Sequence, residues 1–396
     1  MAKHQSKYLE IIDDLRDIGA DFRINDMDES LEVTIGDQDW QRMNDTLEAI
    51  IKVEMRELGY GTRQKPSLSA MRDAYIKRAS LQRYHPIKDY LESLEGRYKP
   101  ESNGKYVTKR LASYFDNPDG QFETWLFYWL TGSIAKIYQG ERNPMLVLVG
   151  EQRTGKSYFA GWLCPQEKHF RKGTINPDSK DANLRLADTW VWEVEELGAT
   201  TRRADIEALK SFITKPHIIE RPPYGKHPIH KPACCNFIGT VNPDGAGFLN
   251  DPTGSSRFLA CEIEGINFNY SNDIDIDDLW AEAWYYYNKV PGCWELCPDD
   301  KDRQAQINES YEITSALTDI IENVLDITNS PDDWMSTQEI RNKVSIHYRY
   351  SSEQAFYNEL ARVLHKMGLK KRRQTPEEGN LRGWQGIKPK NQDPPI

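Results

Sequence analysis

Met145-Leu-Val-Leu-Val-Gly150-Glu-Gln-Arg-Thr-Gly155-Lys156-Ser157 is the stretch on which the fold turns. Its five consecutive apolar residues predict a strand buried on both faces, as in a parallel sheet. The eight residues that follow fit G-x-x-x-x-G-K-[ST], and Ser157 through Leu163 reads as a helix. Strand, glycine-rich bend and helix in that order make a cradle for anions. The loop N–H groups and the positive end of the helix face a phosphate chain, and a side chain at Gly150 or Gly155 would crowd the turn. The candidate ATP contacts are Gly150, Glu151, Gln152, Arg153, Thr154, Gly155, Lys156, Ser157 and Tyr158. Lys156 is expected to reach the β- and γ-phosphates and Ser157 to hold Mg²⁺.

Two more apolar runs flank this one, Thr189–Trp192 and Cys235–Thr240, so a buried parallel sheet interleaved with helices is expected. The first run delivers Glu193, Glu195 and Glu196 at its C-terminal end. One carboxylate there would orient Mg²⁺ through water, another would activate the attacking water, and Glu193, Glu195 and Ser157 form the candidate metal set. Strand alternation puts Glu193 and Glu195 on one face and Glu196 on the other, leaving the roles open. The second run ends at Asn242, a polar group suited to position the lytic water. Arg257, after a Gly/Ser turn, could reach a neighbouring subunit's nucleotide and stabilise transition-state charge. Between these strands, Glu220 to Pro232 reads as a proline-flanked hairpin with a cationic tip. Arg221, Lys226, His227 and Lys231 could grip DNA phosphates there, and Tyr224 could stack on a base.

Residues 84–310 resemble the virulence-associated E family of phage and genomic-island proteins, superfamily 3-type helicases of the AAA+ class. The matching residues run in order. They are Tyr84-His85-Pro86, the glycine-rich loop, Trp190–Glu193 with Glu196-Leu197, Lys210-Ser-Phe212, Arg221-Pro-Pro-Tyr224-Gly225, Gly239–Asn242, Phe248–Gly254, Arg257-Phe258 and Leu279–Ala283. The resemblance implies a P-loop AAA+ (ASCE) ATPase core in an oligomeric ring, usually hexameric, that draws single-stranded DNA through its centre. It makes the 224–231 hairpin the pore loop. Family members commonly carry two arginines before the Phe; Ser256 replaces the first here, so Arg257 carries that role alone. Family matching favours Glu193 and Glu196 as the acidic pair, whereas the strand-tip reading favours Glu195 and Glu196. Some relatives carry a primase domain; this chain shows no primase motif, so a primase partner would be a separate protein.

The 396 residues predict several domains: a small α+β region at 1–80, a helical domain at 81–140, the ATPase core at 141–265, a helical connector at 266–310 and a C-terminal domain at 311–396. Within the first, helices are expected over Tyr8–Ile18 and Trp40–Leu58 around a strand at Leu31–Ile35. No apolar run approaches the ~20 residues of a membrane span, and six sparse cysteines fit a reducing cytoplasm, that of a host cell, rather than a disulfide framework. Cys293 and Cys297 lack a second pair at zinc spacing.

The net charge of −10 hides an asymmetry. Residues 1–60 hold 15 acids and 7 bases, whereas residues 341–390 hold 12 bases and 4 acids. In that basic block, helices expected over Ala316–Ile327, Ser336–Val344 and Gln354–Met367 precede a β-hairpin, the pattern of a winged-helix domain. Arg362, Lys366, Lys370, Lys371, Arg372 and Arg373 would contact phosphates. Together these features point to an ATP-driven helicase or translocase on single-stranded and forked DNA in replication of a phage or mobile element. The competing reading is an ATP-dependent origin-binding initiator or switch without processive unwinding. A structural adaptor with a vestigial loop fits less well with the intact Lys156, Ser157 and acidic strand.

Overall fold

The computed structural model describes residues 7–57, 67–100, 106–195, 197, 203–221, 228–242, 248–249, 255–312, 316–328, 330–348, 350, 352–374 and 381–390. The chain divides into two compact units, Met1–Tyr311 and Glu312–Ile396.

In the first unit, α1 (Lys7–Asp17), α2 (Asp45–Glu57) and α3 (Leu68–Ala79) accompany strands β1 (Ala20–Asn25), β2 (Leu31–Ile35), β3 (Gln41–Arg42) and β4 (Arg83–Tyr84). The sheet order is β3-β2-β1-β4, with β4 parallel to β1. Phe22, Val33, Ile51, Met71 and Tyr75 share its core. The helix expected from Trp40 starts later. Gln41 and Arg42 pair with β2, and Asn44 Oδ1 accepts the Leu47 N–H at 2.9 Å, fixing the helix start beyond them.

The chain continues through α4 (Pro86–Ser93), α5 (Val107–Ala112), β5 (Phe115–Asp116), α6 (Phe122–Gln139), β6 (Met145–Val149), α7 (Lys156–Trp162), β7 (Phe170–Lys172), α8 (Lys180–Asp188) and β8 (Val191–Val194). There follow α9 (Arg203–Ile213), β9 (His217–Glu220), β10 (Ile229–Pro232), β11 (Asn236–Val241), β12 (Phe258–Glu262), β13 (Gly265–Ile266), α10 (Tyr270–Asp273), α11 (Ile276–Lys289) and α12 (Pro298–Ser310). Five of these strands form one parallel sheet of order β12-β6-β11-β8-β7. Alternate residues serve opposite cores: Leu146, Leu148, Ile238 and Leu259 face the layer of α6, α7 and α11, while Met145, Val147, Phe237 and Phe258 face that of α8 and α9. Burial on both sides is why these strands read as unbroken apolar runs.

Helix α6 carries most of the first layer. The indole N–H of Trp125 donates to the Ala260 carbonyl at 3.1 Å and that of Trp129 to the Phe237 carbonyl at 3.0 Å, so these two rings are buried with their donors satisfied. The polar helix α12 falls within the helical connector expected over 266–310. Its hold on the sheet is amide chemistry: Gln304 and Asn308 both donate to the Phe258 carbonyl, at 2.8 and 3.0 Å.

In the second unit, α13 (Ala316–Val324), β14 (Leu325–Ile327), β15 (Trp334–Ser336), α14 (Thr337–Val344), α15 (Glu353–Lys366), β16 (Lys370–Gln374), β17 (Leu381–Gln385) and β18 (Ile387–Pro389) enclose a core of Leu317, Ile321, Ile340, Phe356, Leu364 and Trp384. The helix expected over Ala316–Ile327 stops at Val324, because Leu325–Ile327 pairs with Pro389–Ile387 as a strand. Ser336 caps α14 in a capping box with Glu339. Strands β15, β17 and β16 form an antiparallel sheet.

Candidate functional site

The glycine-rich loop leaves the C-terminal end of β6 and runs into α7, at the end of the sheet where β11 and β8 also terminate. Two contacts pin its start: Gly150 N–H donates to the Val241 carbonyl at 3.1 Å, and Ile263 N–H to the Val149 carbonyl at 2.7 Å. A Cβ on Gly150 would stand 2.0 Å from the Ile263 carbonyl oxygen, so only glycine fits. Gly155 has φ +98°, a left-handed conformation that L side chains rarely adopt. Arg153 also has positive φ, 67°.

Lys156, the first residue of α7, is buried. Its Nζ donates to the carbonyls of Gly150 at 2.5 Å and Glu151 at 2.6 Å, and lies 3.2 Å from Thr154 Oγ1. Burial lowers its pKa from the ordinary lysine value, opposed by the charge of Glu151. The ammonium is thus held at the centre of the bend. Glu151, Gln152 and Arg153 are exposed around it, Thr154 and Ser157 half-buried, and Tyr158 is exposed on the first turn of α7.

Across β11 stands Glu193, the third residue of β8 and fully buried. Its Oε1 lies 3.4 Å from Thr240 Oγ1, and Oε2 has no hydrogen-bond partner among the described residues. Lys172 Nζ is 3.9 Å from Glu193 and 3.1 Å from Glu195, so these two carboxylates share one cation. Glu195 lies one residue beyond the strand and is 41% exposed, which separates it sharply from Glu193. Glu196 lies outside the described residues. Asn242 is exposed immediately after β11. Lys172 carries no motif, and Thr240 was given no role within the Gly239–Asn242 segment; strand pairing brings both to the carboxylates.

Arg257 closes a short 3-10 turn before β12. Phe258 pairs with Met145 and Glu262 with Val149, so Arg257 stands at the opposite end of the sheet from its own glycine-rich loop. Five residues of strand rise put roughly 16 Å between those ends. Within one chain the two do not meet.

Strands β9 and β10 form the expected antiparallel hairpin, with Arg221 exposed at the end of β9. Tyr224, Lys226 and His227 lie outside the described residues. The expected phosphate contact Lys231 is instead engaged: it pairs with Glu29, which also pairs with Arg83. Burial alone would raise the Glu29 carboxyl, but these two cations hold it below the usual carboxylate value. The ion pair draws the base of the hairpin to the β1–β2 turn, a contact that sequence separation concealed.

In the second unit, Lys370, Lys371, Arg372 and Arg373 are exposed on β16. Arg373 lies directly opposite Arg382 of β17, a like-charge pair that is unfavourable without an anion. Lys371 Nζ sits 5.7 Å over the Trp384 ring. A cleft of about 500 Å³ lies beside these strands, lined among others by Gln338, Gln354, Asn358, Lys371 and Arg382. Arg362 is half-buried on α15, and Lys366 ends that helix, its side chain outside the described residues.

Among the described residues no group of three or more His, Cys, Asp or Glu is arranged to hold a metal alone, and no helix is long and apolar enough to cross a membrane. Cys297 serves as the N-cap of α12.

No curated protein matches the chain. Among solved structures, it is similar to the apo structure of the NrS-1 C-terminal region (305–718), at 14% identity and a TM-score of 0.50, covering 96% of this chain and 99% of that one. An A-form apo structure of the same region gives 14% identity and a TM-score of 0.49, covering 96% and 100%. At such identity the likeness concerns the fold. A family model for the virulence-associated protein E-like domain matches residues 93–313, more than half of the sequence, and spans β6, β8, β11, β12 and the loop they carry. The chain therefore belongs to the virulence-associated protein E-like family.

Proposed function

We propose that this chain is an ATP-dependent DNA helicase or translocase that works as an oligomeric ring in replication of a phage or mobile element. The observation that carries the reading is the buried Glu193 with an unpartnered oxygen, set across β11 from a glycine-rich loop centred on Lys156. A fully buried carboxylate oxygen with no hydrogen-bond donor and only a cation 3.9 Å away is costly, and it is retained where it has a ligand or a water to hold.

The donor set fits a magnesium–nucleoside triphosphate. The loop's backbone N–H groups and the start of α7 supply anion donors, glycine at 150 and 155 lets the bend close tightly against the Ile263 carbonyl and the Phe268 ring, and Ser157 offers a hydroxyl. Magnesium, when bound, would neutralise charge on the phosphates, with Ser157 and a carboxylate at the end of β8 to hold it. Lys156 exchanges its loop carbonyls for phosphate oxygens. Glu193 takes a proton from the attacking water, with Thr240 and Asn242 positioning it, while Glu195, paired to Lys172, sets the local charge. Arg257 faces away from its own loop and so serves the neighbouring subunit's nucleotide. This core is the P-loop AAA+ type of parallel sheet.

The second unit is read as a winged-helix domain that grips duplex phosphates through β16, where Arg373 opposite Arg382 calls for a polyanion. The hairpin tip, with Arg221 at its base, contacts the translocated single strand, and a separate primase partner would supply primers.

The test is hydrolysis and forked-duplex strand displacement by the full chain with and without DNA. DNA-stimulated turnover with displacement is expected, and Lys156→Ala should lower turnover at least about a hundredfold. Normal turnover in that variant removes the site. Binding and hydrolysis without displacement select the origin-binding switch instead.

A further inference from the structure

Two exposed aromatic rings stand beside the glycine-rich loop, one of them, Tyr158, with its centroid 6.4 Å from that of the buried Tyr270 ring. Phe268 is 49% exposed and Tyr158 is 55% exposed, and their centroids are 5.9 Å apart at an interplanar angle of 64°. Phe268 touches the loop itself: a Cβ on Gly155 would meet its ring at 2.6 Å.

The mount beneath Phe268 is firm. Asn267 N–H donates to the Tyr114 carbonyl at 2.8 Å, and Asn267 Oδ1 accepts from Asn269 N–H at 3.0 Å. The Phe268 carbonyl accepts from the Ser271 hydroxyl at 3.0 Å. The next aromatic, Tyr270, is fully buried against Phe159 and Trp162. One ring is sunk as an anchor while the other is held out in water, an unfavourable use of apolar area unless something covers it.

Sheet order says what covers it. The loop leaves β6, which has β11 and then β8 on one side and β12 on the other. Glu193 and Thr240 lie on the β8–β11 side, so the reacting end of a triphosphate points that way. The nucleoside end then points toward β12, the strand that leads through β13 into Phe268.

We propose that Phe268, with Tyr158, is the platform on which the purine base of the nucleotide stacks. The inference rests on the glycine-rich loop being a triphosphate site, as proposed above. Stacking on an aromatic ring rewards any base face rather than a particular hydrogen-bonding edge.

The experiment is calorimetric titration of the full chain with magnesium–ATP and, separately, with magnesium tripolyphosphate, which carries the phosphate chain and no base. Phe268→Ala should weaken ATP binding by about five- to a hundredfold, the loss of one stacked base, and leave tripolyphosphate affinity within twofold. Phe268→Trp, which keeps a stacking face, should bind ATP within about threefold of the parent. ATP binding unchanged in Phe268→Ala overturns the proposal. Equal losses for ATP and tripolyphosphate also overturn it, assigning Phe268 to shaping the loop. A parent chain that binds neither ligand fails the triphosphate reading itself, a result distinct from either loss confined to the variant.

Discussion

Replacing Glu193 by Gln separates stability from chemistry, because the two readouts should move in opposite directions. The side chain is fully buried, with Oε1 3.4 Å from Thr240 Oγ1 and Oε2 unpartnered, 3.9 Å from Lys172 Nζ. A buried polar atom lacking a partner costs about 1–3 kcal/mol, more when charged. Gln keeps the volume and removes the charge, though its amide inherits one unmet position, so we work with a gain of roughly 1–2 kcal/mol. At about 2–4 °C per kcal/mol for a large unit, the nucleotide-free melting midpoint at pH 7 should rise by about 2–8 °C. Loss of a general base should lower hydrolysis about 10²–10⁴-fold while nucleotide binding persists. Differential scanning calorimetry and a phosphate-release assay read the two effects. A lowered midpoint with undiminished turnover would refute the argument, because Glu193 would then be a structural carboxyl with a partner yet to be identified.

Other perturbations test separate contacts. Gly150→Ala drives a Cβ to 2.0 Å from a backbone oxygen, so it should cost about 1–3 kcal/mol and abolish nucleotide binding, checked by melting and titration. Burial pushes the His85 imidazole down to about 4, and its Nδ1 accepts the Lys88 N–H at 3.3 Å to cap α4. The unfolded chain takes up that proton near pH ~6.5 and the folded chain does not. His85 stability is therefore present above that pH and lost as pH falls toward 4. Urea unfolding at pH 7 and pH 5 should show His85→Asn escaping about 2 kcal/mol of the parent's loss; equal slopes would contradict this. Arg257→Ala and Lys156→Ala subunits should each be inactive alone but recover part of the hydrolysis when mixed, since Arg257 faces away from its own loop. No recovery in assemblies shown to be mixed would place Arg257 outside the reaction.

Much of this molecule is legible in local pattern. An unbroken apolar run marks a strand buried on both faces, and Gly150, Gly155 and Lys156 mark the bend that follows, because sterics and charge act there within a few residues. The capping box at Ser336 and Glu339 is local in the same sense. How helix α12 attaches was not legible, because the contact runs through the amides of Gln304 and Asn308 to a carbonyl some 50 residues away, with no apolar stripe to announce it.

What sequence alone determined is the unbroken apolar strands of the central sheet and the residue types able to handle phosphate, since both follow from short-range backbone and side-chain physics. Tertiary structure decided which of those residues meet. It buried Glu193 and left Glu195 half-buried, tied Lys231 to Glu29, sent Arg257 to the far end of the sheet and brought Phe268 onto Gly155. The placements of Glu193, Glu195 and Arg257 depend on strand order and parallel register, which are set by how the two apolar faces of the sheet are covered rather than by any neighbouring residue.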